Sequence, residues 1–320
     1  MSLRSYWESS IMGLRSYWES TKIRYKIGDF LTYFLLAVSV ILIVGFFAII
    51  LAVIFLGGYE RVTWEFLTQA PEHGMTEGGI FPAIIGTVLL VIVTTIFSVP
   101  LGIITAVYLV EYGNKESAFY KFVNGSINLL ASIPTIVIGM FGLAFFVVYI
   151  GGMIDNTFYG GKLTWGKPAL IWAGLTMGLV SLPVVVASVR EALEAVPENL
   201  KEASFALGAT KMETVLKVIL PRAFTGVLTG TILGVSRSTG EVAPVLFTGA
   251  AYFLPYLPSS LTDQFMELGY HIYVMATQSV DVDATLPIQF ATTLVLLAIT
   301  FILNVLAIIV RRRLRRELYV

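Results

Sequence analysis

Long stretches without a charged side chain dominate the chain. Phe30 to Tyr59, Gly78 to Val110, Phe122 to Ile154, Pro168 to Val189 and Ala284 to Val310 contain no Asp, Glu, Lys or Arg. A sixth stretch, Ala223 to about Ala250, is apolar except for Arg237 and Glu241. A bilayer span needs roughly 20 predominantly apolar residues in a helix. These stretches reach that length and are too long and too uniformly apolar for barrel strands, so each is expected as a helix that satisfies its own backbone hydrogen bonds in lipid. The expected fold is therefore all-α, a polytopic membrane protein with six transmembrane helices. Composition agrees: 57% of the 320 residues are hydrophobic and 13% charged. The apolar run after the N-terminal tail far exceeds a signal-peptide core, so the first span is expected to stay attached. The absence of cysteine excludes disulfides and thiolate metal sites.

Net charge is zero, but its distribution is uneven. Lys and Arg number 5 in residues 1–30, 1 in 57–81, 2 in 110–127, 2 in 152–167, 5 in 190–222, none in 251–285 and 5 in 311–320. Alternate segments thus hold 17 and 3, and the positive-inside rule places both termini and segment 190–222 in the cytoplasm. The expected organisation is a cytoplasmic tail over 1–30, a first transmembrane helix over 31–56, a transmembrane domain over 78–310 with a cytoplasmic loop at 190–222, and a basic cytoplasmic C-terminus over 311–320. Segment 251–284 has four acids and no basic residue, which suits a surface facing another protein outside. His73 and His271 are expected in outer loops as surface or packing residues. Pro100, Pro134, Pro183 and Pro244 fall within or near the ends of spans, where they are tolerated if neighbours or water satisfy the freed carbonyls. The heptapeptide LRSYWES occurs at Leu3–Ser9 and again at Leu14–Ser20, each copy following a Met, so Met12 is an alternative start.

The polar island 190–222 carries its own local code. Pro197 suits the first position of a short helix and Gly208 the left-handed residue after its last turn. Leu200, Ala203 and Leu207 recur at helical spacing and give a narrow apolar face fit for a groove in another protein. Thr210 and Glu213 then form a capping box, which starts a second helix. No GxxxxGK[ST] loop is present, so no site for hydrolysing ATP is recognisable.

Glu202-Ala203-Ser204, three residues, Gly208, nine residues and Val218-Ile219-Leu220-Pro221 resemble the EAA signature of permease subunits of bacterial ABC importers, with Ser204 departing from its second alanine. The resemblance implies a type I importer permease (MetI-like) fold. It also implies that Leu200, Glu202, Ala203, Ser204, Leu207 and Gly208 form a coupling element docked on a partner ATPase dimer. SRSTGEVAPVLFTG (Ser236–Gly249), SIPTIVIGMFGLAFF (Ser132–Phe146) and EGGIFPAIIGT (Glu77–Thr87) are similar to stretches of phosphate importer permeases of the PstA type. That resemblance implies import of inorganic phosphate across the inner membrane, together with a related second permease (PstC type) and an extracytoplasmic phosphate-binding protein. The chain is then not an enzyme: it has no cofactor of its own, ATP and Mg being bound by the partner, and it contacts lipid and no nucleic acid. Sulfate, molybdate or phosphonate import is the alternative within the class, and an autonomous ion-driven transporter the alternative outside it. One stretch departs from the family: LPVVVASV (Leu182–Val189) lacks the Arg many relatives carry. Arg190 either replaces it or serves as a topology charge.

Arg237 falls about fourteen residues into its apolar run, near the bilayer midplane at roughly 1.5 Å per residue. A charge there faces a partner or a water-filled pathway. If the helix continues, Glu241 lies one turn on and pairs with Arg237 on one face. Two readings stand: a structural salt bridge, or a guanidinium fork that contacts phosphate with Ser236, Ser238 and Thr239 supplying hydroxyls. Gly226, Gly230, Gly234 and Ser238 make a small-residue stripe beside that face, suited to close helix packing.

Overall fold

The computed structural model describes the backbone of residues 3–238, 240–279 and 281–318, and side chains from residue 29 onward except 233, 235, 237–239, 280, 307, 310, 311 and 313–320. The duplicated heptapeptide therefore lies outside the described side chains. The chain divides into two units, Met1–Leu56 and Gly57–Val320.

Helix α1, Leu3–Gly58, holds the first unit. Its apolar window presents every described side chain outward, as a lipid-facing helix does.

The second unit opens with α2 (Trp64–Thr68), capped by the Thr63 hydroxyl, and a two-residue hairpin of β1 (Pro71–Glu72) and β2 (Glu77–Gly78). Helix α3, Phe81–Val107, starts with Pro82 in its first turn, where the missing amide costs nothing, and widens into a π-turn over Tyr108–Tyr112. Next come α4 (Ala118–Ser132) and α5 (Thr135–Gly142). The latter continues as a π-helical stretch over Leu143–Gly151 into α6 (Gly152–Phe158). Helix α7, Leu170–Glu194, is the most buried span and packs against α3, α10 (Leu220–Ser238), α4, α5 and α11 (Ala243–Thr248). Between α7 and α10 lie α8 (Glu198–Ala206), α9 (Lys211–Thr214) and a π-turn over Val215–Ile219. Helices α12 (Leu268–Gln278) and α13 (Val282–Leu318) close the unit.

Among the described residues, six helices are long and apolar enough to cross a membrane: Asp29–Arg61, Phe81–Tyr112, Thr135–Phe158, Leu170–Glu194, Lys211–Ile232 and Val282–Leu306. Their number matches the sequence expectation, but two differ in extent. The apolar run Phe122–Ile154 is not one helix. Ile133 is extended (φ −76°, ψ 132°), as steric contact with the Pro134 ring demands of the residue before a proline, and the helix restarts at Thr135. The run Ala223–Ala250 is likewise broken. Its helix begins upstream, ends at Ser238, and resumes only as the short α11 with Pro244 in its first turn.

The two larger apolar clusters lie along α7. At the island end, Leu109, Val185, Val189, Leu193, Val215, Ile219 and Val227 are buried together. At the opposite end Ile80, Leu90, Met177, Phe265, Leu268 and Ile288 are. The glycine stripe explains how α7 and α10 come so close. A Cβ at Gly226 would overlap Ala192, one at Gly230 would overlap Ser188, and one at Gly234 would press on Val185. The small residues thus set the α7–α10 distance by backbone approach.

Candidate functional site

The island folds as its sequence code directs. Pro197 stands as the N-cap of α8 rather than inside it, with φ −60° and ψ 135°. Gly208 takes φ +83°, the left-handed conformation that reverses the chain at little cost only for glycine. Its amide donates to the Phe205 carbonyl, and the Ala209 amide to that of Ser204. The capping box closes: Glu213 N donates to Thr210 Oγ1 at 3.3 Å, and Thr210 N donates to Glu213 Oε2 at 3.0 Å. Those Thr210 donors, with Lys217 beside them, hold the Glu213 carboxyl below its ordinary range.

Three attachments fix α8. Leu200 packs on the island-end apolar cluster. The hydroxyls of Ser204 and Thr214 bond at 2.9 Å, so the serine that departs from the EAA pattern ties α8 to α9. Lys201 Nζ lies 2.9 Å from Glu111 Oε1, on the π-turn ending α3, and 3.1 Å from Glu198 Oε2. Burial alone would lower the Lys201 ammonium, but the two carboxylates hold it above its ordinary value.

The apolar residues read as one face of α8 are divided: Leu200 packs inward on the cluster, whereas the helix ends at Ala206 and Leu207, at its C-cap, is 90% exposed. Glu202 and Ala203 are exposed as well. Phe205, Leu207, Met212 and Leu216, between the end of α8 and the π-turn after α9, are each exposed. Arg190, outside the island's helices, bonds Glu194 through Nε at 2.9 Å and reaches Asn124 Oδ1 on α4 at 3.4 Å. It therefore pins the island end of α7 to α4.

The second candidate region is where helices break. α5 packs against α11, and a Cβ at Gly139 would lie 2.8 Å from Pro244 Cα. Two stretches singled out in the sequence, Ser132–Phe146 and Ser236–Gly249, thus meet through α5 and the start of α11, each the helix that follows a break. Broken helices meeting inside a membrane protein are where transporters place substrate sites. Glu241 lies in the gap between α10 and α11. The continuous helix expected through Arg237 and Glu241 is therefore corrected, because Glu241 lies outside both α10 and α11. The side chains of Arg237, Ser238 and Thr239 lie outside the described residues. Ser236 donates its hydroxyl to Asn304 Oδ1 on α13.

Two buried groups lie next to this gap, one missed by the sequence and one whose packing alternative holds but whose loop placement does not. Glu267, expected in an exposed outer segment, is 1% exposed and caps α12, accepting from the amides of Gly269 and Tyr270 at 2.8 and 2.6 Å. His271, expected in a loop, is buried in α12, with Nδ1 lacking a hydrogen-bond partner. Val242 packs on Gly269, which joins the gap to this helix start. Burial raises the Glu267 carboxyl to about 7 against the pull of its two amide donors. Burial also lowers the His271 imidazole to about 4.

Six membrane-length helices among the described residues, two broken spans packed beside the central helix and a polar helix-turn-helix island define a multi-pass membrane protein. The chain belongs to the binding-protein-dependent transport system inner membrane component family, which matches residues 98–316. It is 31% identical over 260 residues to the probable ABC transporter permease protein YqgI of Bacillus subtilis, covering 78% of this chain and 82% of that one. It is 33% identical to the phosphate transport system permease protein PstA of Mycobacterium leprae, covering 62% of this chain and 61% of the relative. The Haemophilus influenzae PstA is 32% identical, at 66% and 69%. Among solved structures, a chain of a bacterial alginate ABC transporter superposes with a TM-score of 0.66 at 15% identity, covering 89% of this chain and 95% of that one. A chain of the inward-facing MetNI methionine ABC transporter does so at 0.55 and 19%, covering 73% and 97%. The shared architecture is that of MetI-type importer permeases.

Proposed function

We propose that this chain is the permease subunit of an ATP-driven importer of inorganic phosphate. Most weight falls on the agreement between the PstA relatives and the sequence stretches that build the α5–α11 junction, since one set of residues carries both the likeness and the geometry of a substrate path. We assign the phosphate contact to Arg237 and Glu241, which stand either side of the end of α10 in sequence, with Ser236, Ser238 and Thr239 as the neighbouring hydroxyls. A guanidinium there offers forked donors matched to phosphate oxygens.

The partners are a related second permease of the PstC type, an ATPase dimer and an extracytoplasmic phosphate-binding protein. The exposed Phe205, Leu207, Met212 and Leu216 supply an apolar surface for the ATPase, and ATP and Mg belong to that partner. Both termini lie in the cytoplasm, following the 17 to 3 split of basic residues between alternate segments.

Deleting the gene and measuring uptake of labelled phosphate at limiting concentration tests the reading. High-affinity uptake is expected to vanish and to return with the intact chain. Unchanged phosphate uptake accompanied by lost sulfate, molybdate or phosphonate uptake contradicts it.

A further inference from the structure

The island is covalently continuous with α7 on one side and with the π-turn leading to α10 on the other. Its link to α3 is different in kind. Lys201 and Glu111 are 90 positions apart in sequence, yet their charged groups meet at 2.9 Å with side chains only 12% and 9% exposed. The other carboxylate at Lys201, Glu198, is on α8 itself and 70% exposed, so it anchors nothing beyond the helix. A second contact from the same π-turn reaches α9: the Tyr112 hydroxyl lies 3.5 Å from Met212 Sδ, and Lys211 Nζ sits 5.1 Å from the Tyr112 ring centre. The end of α3 therefore grips both short helices, with its single largely buried charge on Lys201.

We propose that Lys201 and Glu111 form a positioning pair that delivers displacement of α8 to α3, making α3 a driven span of the transport cycle. The physical reason lies in the type of contact. Apolar side chains slide past one another at little cost, whereas separating an ion pair between largely buried groups leaves each charge buried without its partner and is costly. The π-turns at Tyr108–Tyr112 and Val215–Ile219 flank the island at the ends of α3 and α10. Such insertions recur at functional sites.

The inference rests on the importer reading, and the test separates the two. In the assembled complex with its ATPase and binding protein, phosphate-stimulated ATP hydrolysis is measured for wild type, Glu111→Gln, Lys201→Met, the charge swap Lys201→Glu with Glu111→Lys, and the apolar pair Lys201→Met with Glu111→Leu. The chain contains no cysteine, so a spin label on a cysteine replacing the exposed Ile96 of α3 reports, in the same variants, any shift on trapping the ATPase with ATP and vanadate.

Each single variant is expected to lose stimulation by about 5-fold or more, the lower bound of typical inter-site coupling, and to lose the α3 shift. The swap should recover both, while the apolar pair assembles normally but stays uncoupled. If the wild-type complex is not stimulated by phosphate, the substrate reading fails while the α3 shift still tests the pair. A wild-type α3 shift in either single variant, or full coupling in the apolar pair, overturns the proposal.

Discussion

Replacing Gly208 by valine isolates the contribution of one backbone angle to coupling. Gly208 sits at φ +83°, and an added Cβ would meet no heavy atom within 4 Å. The substitution therefore creates no steric overlap within the chain, and its cost comes from forcing a β-branched residue into the left-handed region. That cost is on the order of 1–3 kcal/mol. A coupling free energy of this size corresponds to a loss of about 5- to 150-fold, read here as the fraction of molecules whose turn aims α8 correctly. The six spans pack independently of this turn, so membrane abundance should hold while phosphate-stimulated ATP hydrolysis by the assembled complex falls by a factor in that range. Asparagine is the control, since it tolerates the left-handed region yet fills the same space as valine, and it should retain most of the stimulation. Wild-type stimulation by the valine variant would refute the reasoning. So would asparagine failing as badly as valine, because the defect would then lie in a contact with the partner.

Three further predictions address other parts of the molecule. Gly230→Leu places a side chain where Ser188 already lies and should destabilise the α7–α10 seam by about 1–3 kcal/mol, read as a lowered unfolding midpoint in detergent that Ser188→Gly partly restores. In α12, the raised Glu267 carboxyl makes the folded state bind the extra proton between about pH 4.5 and 7, so its contribution falls as pH rises through that window. The lowered His271 imidazole makes the unfolded state bind it between about pH 6.5 and 4, so its contribution falls as pH drops. The two opposed contributions are each roughly 3 kcal/mol. Wild-type stability should therefore vary little across the overlap, whereas Glu267→Gln should unmask loss on acidification; a flat pH profile for that variant contradicts the assignment. Finally, Arg237→Gln should abolish phosphate uptake and Arg237→Lys retain part of it, at matched membrane levels. Full rescue of Arg237→Gln by adding Glu241→Gln would instead mark a structural ion pair.

How much of this was legible in the sequence depends on how local the cause is. The Gly208 turn and the Thr210–Glu213 capping box are set within a few residues and folded as read. The glycine stripe at Gly226, Gly230 and Gly234 was also readable, although its partner helix was not. The broken spans were half-legible. Pro134 stood in plain view, but proline occurs both in kinked spans and at true breaks, and only the extended Ile133 distinguishes them. The end of α10 at Ser238 left no mark in the sequence, because apolar composition runs on through the gap into α11. Long-range burial left no local trace. Glu267 and His271 read as outer-loop polar residues, and nothing near Lys201 points to Glu111 on a distant span.

The central claim is tested most directly by reconstituting the chain with its second permease, ATPase and binding protein in liposomes, then measuring ATP hydrolysis and anion uptake together. With phosphate as ligand, uptake that requires ATP and rises in step with stimulated hydrolysis is expected, while sulfate, molybdate and phosphonate leave hydrolysis at its basal rate. Stimulation by one of those anions in place of phosphate, or phosphate uptake that proceeds without ATP, would contradict the account.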